Sequence, residues 1–166
     1  MSVRQRSTVA ESSALLKATL RKAFLATKFS VRLSRGTGYG NCYVSWSDGP
    51  TARRVDAILA DFEGKGFDGS TDSSYYKHAI MPNGERSALG LILRERTISA
   101  PFARKLAQAV SAYWGGEDMQ PPEIISTGRY WSILDGQNGN SRERTGRDWQ
   151  ELIYRAGNDR LTVTHA

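Results

Sequence analysis

The chain has 166 residues, 39% of them hydrophobic, with one cysteine and a formal net charge of +6. That length fits one domain, or one domain with an appendage, and it suffices to bury a core without staples. The single Cys42 excludes an intramolecular disulfide, no apolar window is long enough for a membrane helix, and four Trp, seven Tyr and five Phe argue against global disorder.

Charge is unevenly spread. Residues 1–60 carry ten Lys/Arg and three Asp/Glu, a net +7, whereas residues 61–120 net −1 and residues 121–166 net zero. A basic first third suits a polyanion or an acidic protein surface, and it also suits a solvated, soluble face. Arg4 and Arg6 precede no apolar run, so no signal peptide is expected and a cytoplasmic location is.

In chain order, Met1–Ser7 reads as a mobile tail, and Thr8 or Ser12 as the cap of a first helix. Leu16, Leu20 and Phe24 recur at helical spacing, with Lys17, Arg21 and Lys22 mainly off that stripe. Lys28–Ser34 and Cys42–Ser47 each alternate apolar and polar residues. They predict a β-hairpin whose tip is the glycine-rich Arg35–Asn41. Thr51 caps a second helix with Val55, Ile58, Leu59 and Phe62 on its apolar face, ended by Gly64 or Gly66. Arg53 and Arg54 sit in its first turn, where positive charge opposes the helix dipole. Phe67–Ser74 reads as turn-rich, Tyr75–Met81 as a third strand, Pro82-Asn83-Gly84 as a turn and Ala88–Arg94 as a fourth strand. Ser99 caps a third helix, with Pro101 in its first turn, that ends at Gly115-Gly116. Beyond a Pro121-Pro122 linker come a strand over Glu123–Leu134, an exposed polar loop, a short helix over Trp149–Ala156 and a last strand over Leu161–Thr164.

The expected fold is therefore α+β. A helix–hairpin–helix–hairpin–helix core with an antiparallel sheet spans residues 1–116, and a smaller β-rich extension spans 117–166.

Chemistry-bearing motifs are few. Gly36-Thr-Gly38-Tyr-Gly40 lacks the Lys-Ser/Thr of a phosphate loop and leads into a strand, so it reads as a hairpin turn. His78, His165 and Cys42 make no zinc spacing, and Asp61, Glu63, Asp68 and Asp72 do not match a calcium loop. No metal or cofactor is expected. A Cys42–His78 nucleophile pair is conceivable, but Cys42 shares a strand face with Val44 and Trp46 and reads as a small hydrophobe. Cations and rings do interleave. Lys28, Arg32, Arg35, Tyr39 and Tyr43 do so on the first hairpin, and Arg142, Arg144 and Arg147 lie between Trp131 and Trp149. Such sets offer charge to phosphates and rings to bases.

A run of separated motifs is similar to the large polyvalent protein associated domain found in proteins of phages and conjugative elements. These are Lys22-Ala-Phe24, Lys28-Phe-Ser-Val-Arg32, Val44-Ser-Trp46-Ser-Asp48-Gly-Pro50, and Phe67-Asp-Gly69 with Asp72 and Tyr75 downstream. The likeness covers about residues 14–114. It implies a protein of a bacterial mobile element, acting in establishment, host interaction or counter-defence, with no catalytic residue to carry over.

The expected function is non-catalytic binding of DNA or RNA through Lys17, Arg21, Lys28, Arg32, Arg35, Tyr39, Tyr43, Arg53 and Arg54. Arg142, Arg144 and Arg147 form a second candidate set. The alternative partner is a host defence protein complex, inhibited in the manner of an anti-CRISPR or anti-restriction protein. An unrecognised enzyme has only Cys42 and His78 to build on.

Overall fold

The computed structural model describes residues 6–114, 119–128, 130–134, 137 and 147–158. The chain is a mixed α+β protein that divides into two compact units, Met1–Thr97 and Ile98–Ala166.

The first unit opens with helix α1, Val9–Ala23. Thr8 caps it, with a reciprocal capping box to Glu11 that satisfies two orphan amide donors. The other candidate cap, Ser12, is instead buried one turn in. Its Oγ accepts the Ala88 N–H at 3.1 Å. The end of the expected tail is tied down. The Ser7 N–H donates to the Arg86 carbonyl, and the Arg6 backbone bridges that of Arg86. Residues 1–5 lie outside the described residues.

Strands β1 (Phe29–Leu33) and β2 (Cys42–Ser47) form the expected hairpin, with Phe29 opposite Trp46 and Arg32 opposite Tyr43. A single 3-10 turn, Gly36–Gly38, occupies its tip. Gly40 closes the tip at φ +91°, a conformation that favours glycine. Helix α2, Ala52–Leu59, is capped by Thr51 as expected and ends short of both Gly64 and Gly66.

Residues 65–97 depart most from expectation. Strands β3 (Lys65–Asp68) and β4 (Ser73–Tyr76) make a hairpin of their own. Asp68 builds its turn by accepting from Ser70 N–H and Oγ, so the stretch expected to be turn-rich contributes strand residues at both ends. Glycine at 66 leaves room for the Tyr75 ring, which a Cβ there would meet at 2.4 Å. The expected third strand, Tyr75–Met81, is cut short after Tyr76, where the backbone turns and His78 adopts φ +50°. The Pro82–Gly84 turn forms as expected, with the Gly84 N–H on the Met81 carbonyl.

The expected fourth strand, Ala88–Arg94, is shifted: β5 runs over Ile92–Thr97. It pairs parallel with β2, so the three-stranded sheet has order β1-β2-β5 and is mixed, not antiparallel. The physical reason is that β5 takes its hydrogen bonds from the free edge of β2, across the whole of residues 48–91, and not from the chain just before it. Parallel partners need a long crossover, which α2 and the β3–β4 hairpin supply.

The alternation predicted for the first hairpin sets the core. Phe29, Cys42, Val44, Trp46 and Ile92 point to one sheet face and pack with Leu16 and Leu20 of α1 and Val55 and Leu59 of α2. Phe24, Phe29 and Trp46 pack in series, at 5.7 and 5.6 Å between centroids.

Helix α3, Ala100–Trp114, belongs with the second unit and not with the first. Its apolar face shares a core with hairpin β6 (Ile124–Thr127) and β7 (Tyr130–Ile133) and with helix α4 (Trp149–Asn158). Trp149, Ile153, Leu106 and Val110 fill that core, and Arg104 clasps the Ile124 carbonyl at 2.7 Å. The single strand expected over Glu123–Leu134 is thus a hairpin turned at Gly128, φ +73°. The Gly115-Gly116 helix end, nearly all of the expected polar loop and the strand expected over Leu161–Thr164 lie outside the described residues.

Ser12→Ala removes the acceptor of a buried amide, which costs about 1–3 kcal/mol. Leu16→Ala opens a cavity between α1 and the sheet and costs about 2–5 kcal/mol. Urea unfolding curves of the two variants will show midpoints lowered by increasing amounts in that order, with unchanged slopes.

Candidate nucleic-acid interface

Because the helices cover one face of the β1-β2-β5 sheet, the alternate residues form its other face. Arg32 and Tyr43 are direct cross-strand partners there, and Leu93 lies beside Tyr43 in register. Ser30, Ser45 and Glu95 make the next row. Tyr43 is 47% exposed and Leu93 46%. A shallow hollow of about 400 Å³ lies here, lined by Arg32, Tyr43, Ser45, Leu93 and Glu95 among others. Among the described residues Arg32 has no ion-pair or hydrogen-bond partner, so its guanidinium is fully available to a ligand. Lys28 just before β1 and Arg35 just after it are also exposed.

The remaining predicted cations do not join this face. Lys17 and Arg21 follow Leu16 and Leu20, about 100° round α1 from the buried stripe. They therefore lie on the helical layer, with the sheet between them and Arg32. Arg53 is exposed at the start of α2. Arg54 has a structural role. Its guanidinium lies 5.5 Å from the Phe24 ring centroid, a cation–π contact between α2 and the end of α1. Tyr39, 75% exposed, turns from the hairpin tip towards a separate cleft.

In the second set, Arg142 and Arg144 lie outside the described residues. Arg147 pairs with Glu151 at 3.2 Å, one turn along. Trp131 and Trp149 are core residues of the second unit, so neither ring is available for stacking.

The motifs that carry the family likeness are mostly scaffolding. Trp46 Nε1 donates to the Pro50 carbonyl at 3.0 Å, and Arg96 reaches back to the Asp48 and Gly49 carbonyls at 3.0 and 3.1 Å. Asp48 and Gly49 both adopt positive φ, and a Cβ on Gly49 would meet Thr27 Oγ1 at 2.3 Å. Arg32, like Lys22 and Lys28, is a motif residue that this scaffold leaves unengaged.

Sequence reasoning missed Leu93 and Glu95. No local signal could have found them, because β5 reaches this face only through its parallel pairing with β2.

Cys42 and His78 do not make a nucleophile pair. Cys42 is buried on the inner face, burial pushes its thiol up to about 11, and no hydrogen bond joins it to His78. His78 Nδ1 instead meets the Arg86 guanidinium. Of the acidic residues, Glu63 is engaged by Lys77 and by the Ile92 N–H, and Asp68 by Ser70. Among the described residues no three His, Cys, Asp or Glu come together as a metal site. Nor is any helix among them long and apolar enough to cross a membrane.

These elements define a small α+β domain with two helices on one face of a mixed three-stranded sheet. Residues 7–99 match the large polyvalent protein associated domain 29, and the chain belongs to that family. Domains of this kind are associated with polyvalent proteins of phages and mobile elements. The match runs from just before α1 to just past the end of β5, so it covers nearly all of the first compact unit and stops short of α3. No curated protein and no solved structure matches the chain.

A thiol whose folded pKa lies above its unfolded value is lost as an ally when pH climbs from about 9 through about 11, because only the unfolded state gives up its proton there. Cys42 will therefore resist a disulfide reagent at pH 8 in the native protein and react fully in urea. The melting temperature will fall between pH 9 and 11, and less so in Cys42→Ala.

Proposed function

We propose that the first unit is a non-catalytic nucleic-acid-binding module of a mobile-element protein, acting through the outer face of the β1–β2 hairpin. One observation carries this reading. Arg32 stands exposed and unpaired in register with the exposed ring of Tyr43, on the face that the core does not use. A guanidinium is always charged and suits a phosphate, while a tyrosine ring stacks on a base of any identity. Lys28 and Arg35 extend the positive charge along and beyond the strand. The one carboxylate in the rows named above is Glu95, on the strand furthest from β1. Nothing in this reading calls on Cys42, which is buried and protonated at neutral pH.

The second reading keeps the same face and changes the partner to a host defence protein, as in an anti-CRISPR or anti-restriction protein. The family membership and the exposed apolar surface of Tyr43 and Leu93 favour it.

Fluorescence anisotropy with single- and double-stranded oligonucleotides tests the first reading. Binding will weaken steeply with salt, because each neutralised phosphate releases counterions. Arg32→Glu will weaken binding to all sequences and lower the salt slope by about 1. Lys17→Glu on the helical layer will change little. No binding of either strand type at low salt would sink the reading. Recovery of a defence component on the wild-type chain but not on Arg32→Glu would favour the second.

A further inference from the structure

The sheet face is not the only basic concavity of the first unit. A cleft of about 540 Å³ opens between the start of α1, the hairpin tip and the β3–β4 hairpin. Its chemistry-bearing walls are Arg6, Lys65, Arg86, His78, Tyr39 and Tyr76. Only Tyr39 among these belongs to the residues singled out from the sequence as binding candidates. The others come from separate stretches of the chain, most of them beyond the basic first third.

The charge balance of the cleft is unusual. Three permanent cations line it and no carboxylate does. The nearest acids in sequence are each already engaged. Glu11 is spent on the Thr8 capping box, at 2.8 Å to the amide. Glu85 accepts from Ser7 and from Asn83. Glu63 pairs with Lys77. The cations have only soft partners. Lys65 Nζ lies 5.5 Å from the Tyr76 ring centroid, and the Arg86 guanidinium meets His78 Nδ1. Arginine can only donate, so His78 Nδ1 accepts, and its Nε2 proton is left for another acceptor. The Arg6–Arg86 backbone bridge, closed by the Ser7 N–H, holds two guanidinium-bearing residues as neighbours against their own repulsion.

Three cations, one imidazole N–H and two tyrosine rings in a cleft of this size match the parts of a nucleotide. Ligand sites commonly enclose about 300–1,000 Å³. A carboxylate ligand would need one or two of these donors; a phosphate carries more charge and more acceptor oxygens, and it uses them all. The rings supply what an inorganic anion would not need, a stacking surface for a base.

We propose that this cleft binds a nucleotide unit, its phosphate against Arg6, Lys65 and Arg86 and its base against Tyr39. The unit is either a free mononucleotide or the terminal residue of a single strand. The site is separate from the Arg32–Tyr43 face and stands or falls independently of it.

Calorimetric titration of the full chain tests the site, with AMP, with inorganic phosphate, and with a short oligothymidylate with and without a 5′-phosphate. The double variant Lys65→Ala, Arg86→Ala will lose about tenfold or more in affinity for nucleotide probes. Tyr39→Ala will lose about tenfold for nucleotides and nothing for inorganic phosphate. Arg32→Glu will leave AMP binding unchanged. Preference for the 5′-phosphorylated strand assigns the ligand to a strand end, and comparable AMP affinity assigns it to the free nucleotide; either supports the site. Because Lys65 and Tyr39 lie at the surface, Lys65→Glu with an unchanged melting temperature is the control if the double variant fails to fold. Wild-type chain that binds neither AMP nor either oligonucleotide overturns the proposal. So does nucleotide binding that the cleft variants leave intact. Loss of oligonucleotide binding in Arg32→Glu but not in the cleft variants, with no AMP binding by the wild-type chain, would leave the sheet face standing and the cleft refuted.

Discussion

Strand β2 carries both ladders of the central sheet, antiparallel to β1 and parallel to β5. The first ladder is local and needs only the short glycine-rich tip. The second cannot close until the chain has crossed from one end of β2 back to its start. Residues 48–91 perform that crossing, and what they build along the way is α2 and the β3–β4 hairpin. Arg94 and Arg96 show how tightly the return is registered. Arg94 on the inner face meets Asp56 of α2 at 2.7 Å, and Arg96 reaches the carbonyls of the turn that leaves β2. The Arg94–Asp56 pair is partly solvated, so it places the crossover more than it stabilises it. The larger stabilising contribution is the burial of Val44, Trp46 and Ile92 beneath α1 and α2.

The sheet's two-sidedness then decides which cations can work together. Burying one face under helices separates Lys17, Arg21 and Arg53 from Arg32, although all belong to the basic first third of the chain. The high charge of that segment is therefore not one patch. It is a solvated helical layer, a structural cation in Arg54, and a smaller set on the outer strand face. The cleft beside α1 has the opposite history. It gathers Arg6, Lys65 and Arg86 from distant stretches, and the acids next to them in sequence are already engaged by capping, turn and ion-pair contacts. Local net charge is thus a poor guide to surface potential in this fold. What matters is which carboxylates the backbone and its neighbours have already claimed.

Much of the first unit was legible because its signals are short-range. The Thr8 cap, the period of Leu16 and Leu20, the alternation of Phe29 to Leu33 and of Cys42 to Trp46, and the Thr51 cap are all contained within a few residues. The burial of Cys42 followed from the same alternation. Residues 65–97 were not legible in this way. Ser73–Tyr76 has four exposed residues and no apolar alternation, so nothing in its pattern distinguishes a surface strand from a turn. Ile92–Thr97 reads Ile-Leu-Arg-Glu-Arg-Thr, and its two inward arginines are tolerated only because Asp56 and the Asp48–Gly49 turn receive them.

The amino-acid order alone determined the helices, the first hairpin, the buried face of that hairpin and the resemblance to its family, since each depends on neighbours within about one or two turns or strand pairs. Tertiary structure decided the rest. The parallel partner of β2, the assignment of α3 to the second unit, the company that Arg32 keeps and the existence of the Arg6–Lys65–Arg86 cleft all rest on contacts between residues far apart in sequence. Such contacts leave no local period to read: they form only where the chain has already closed on itself and buried enough apolar surface to offset the entropy of that closure.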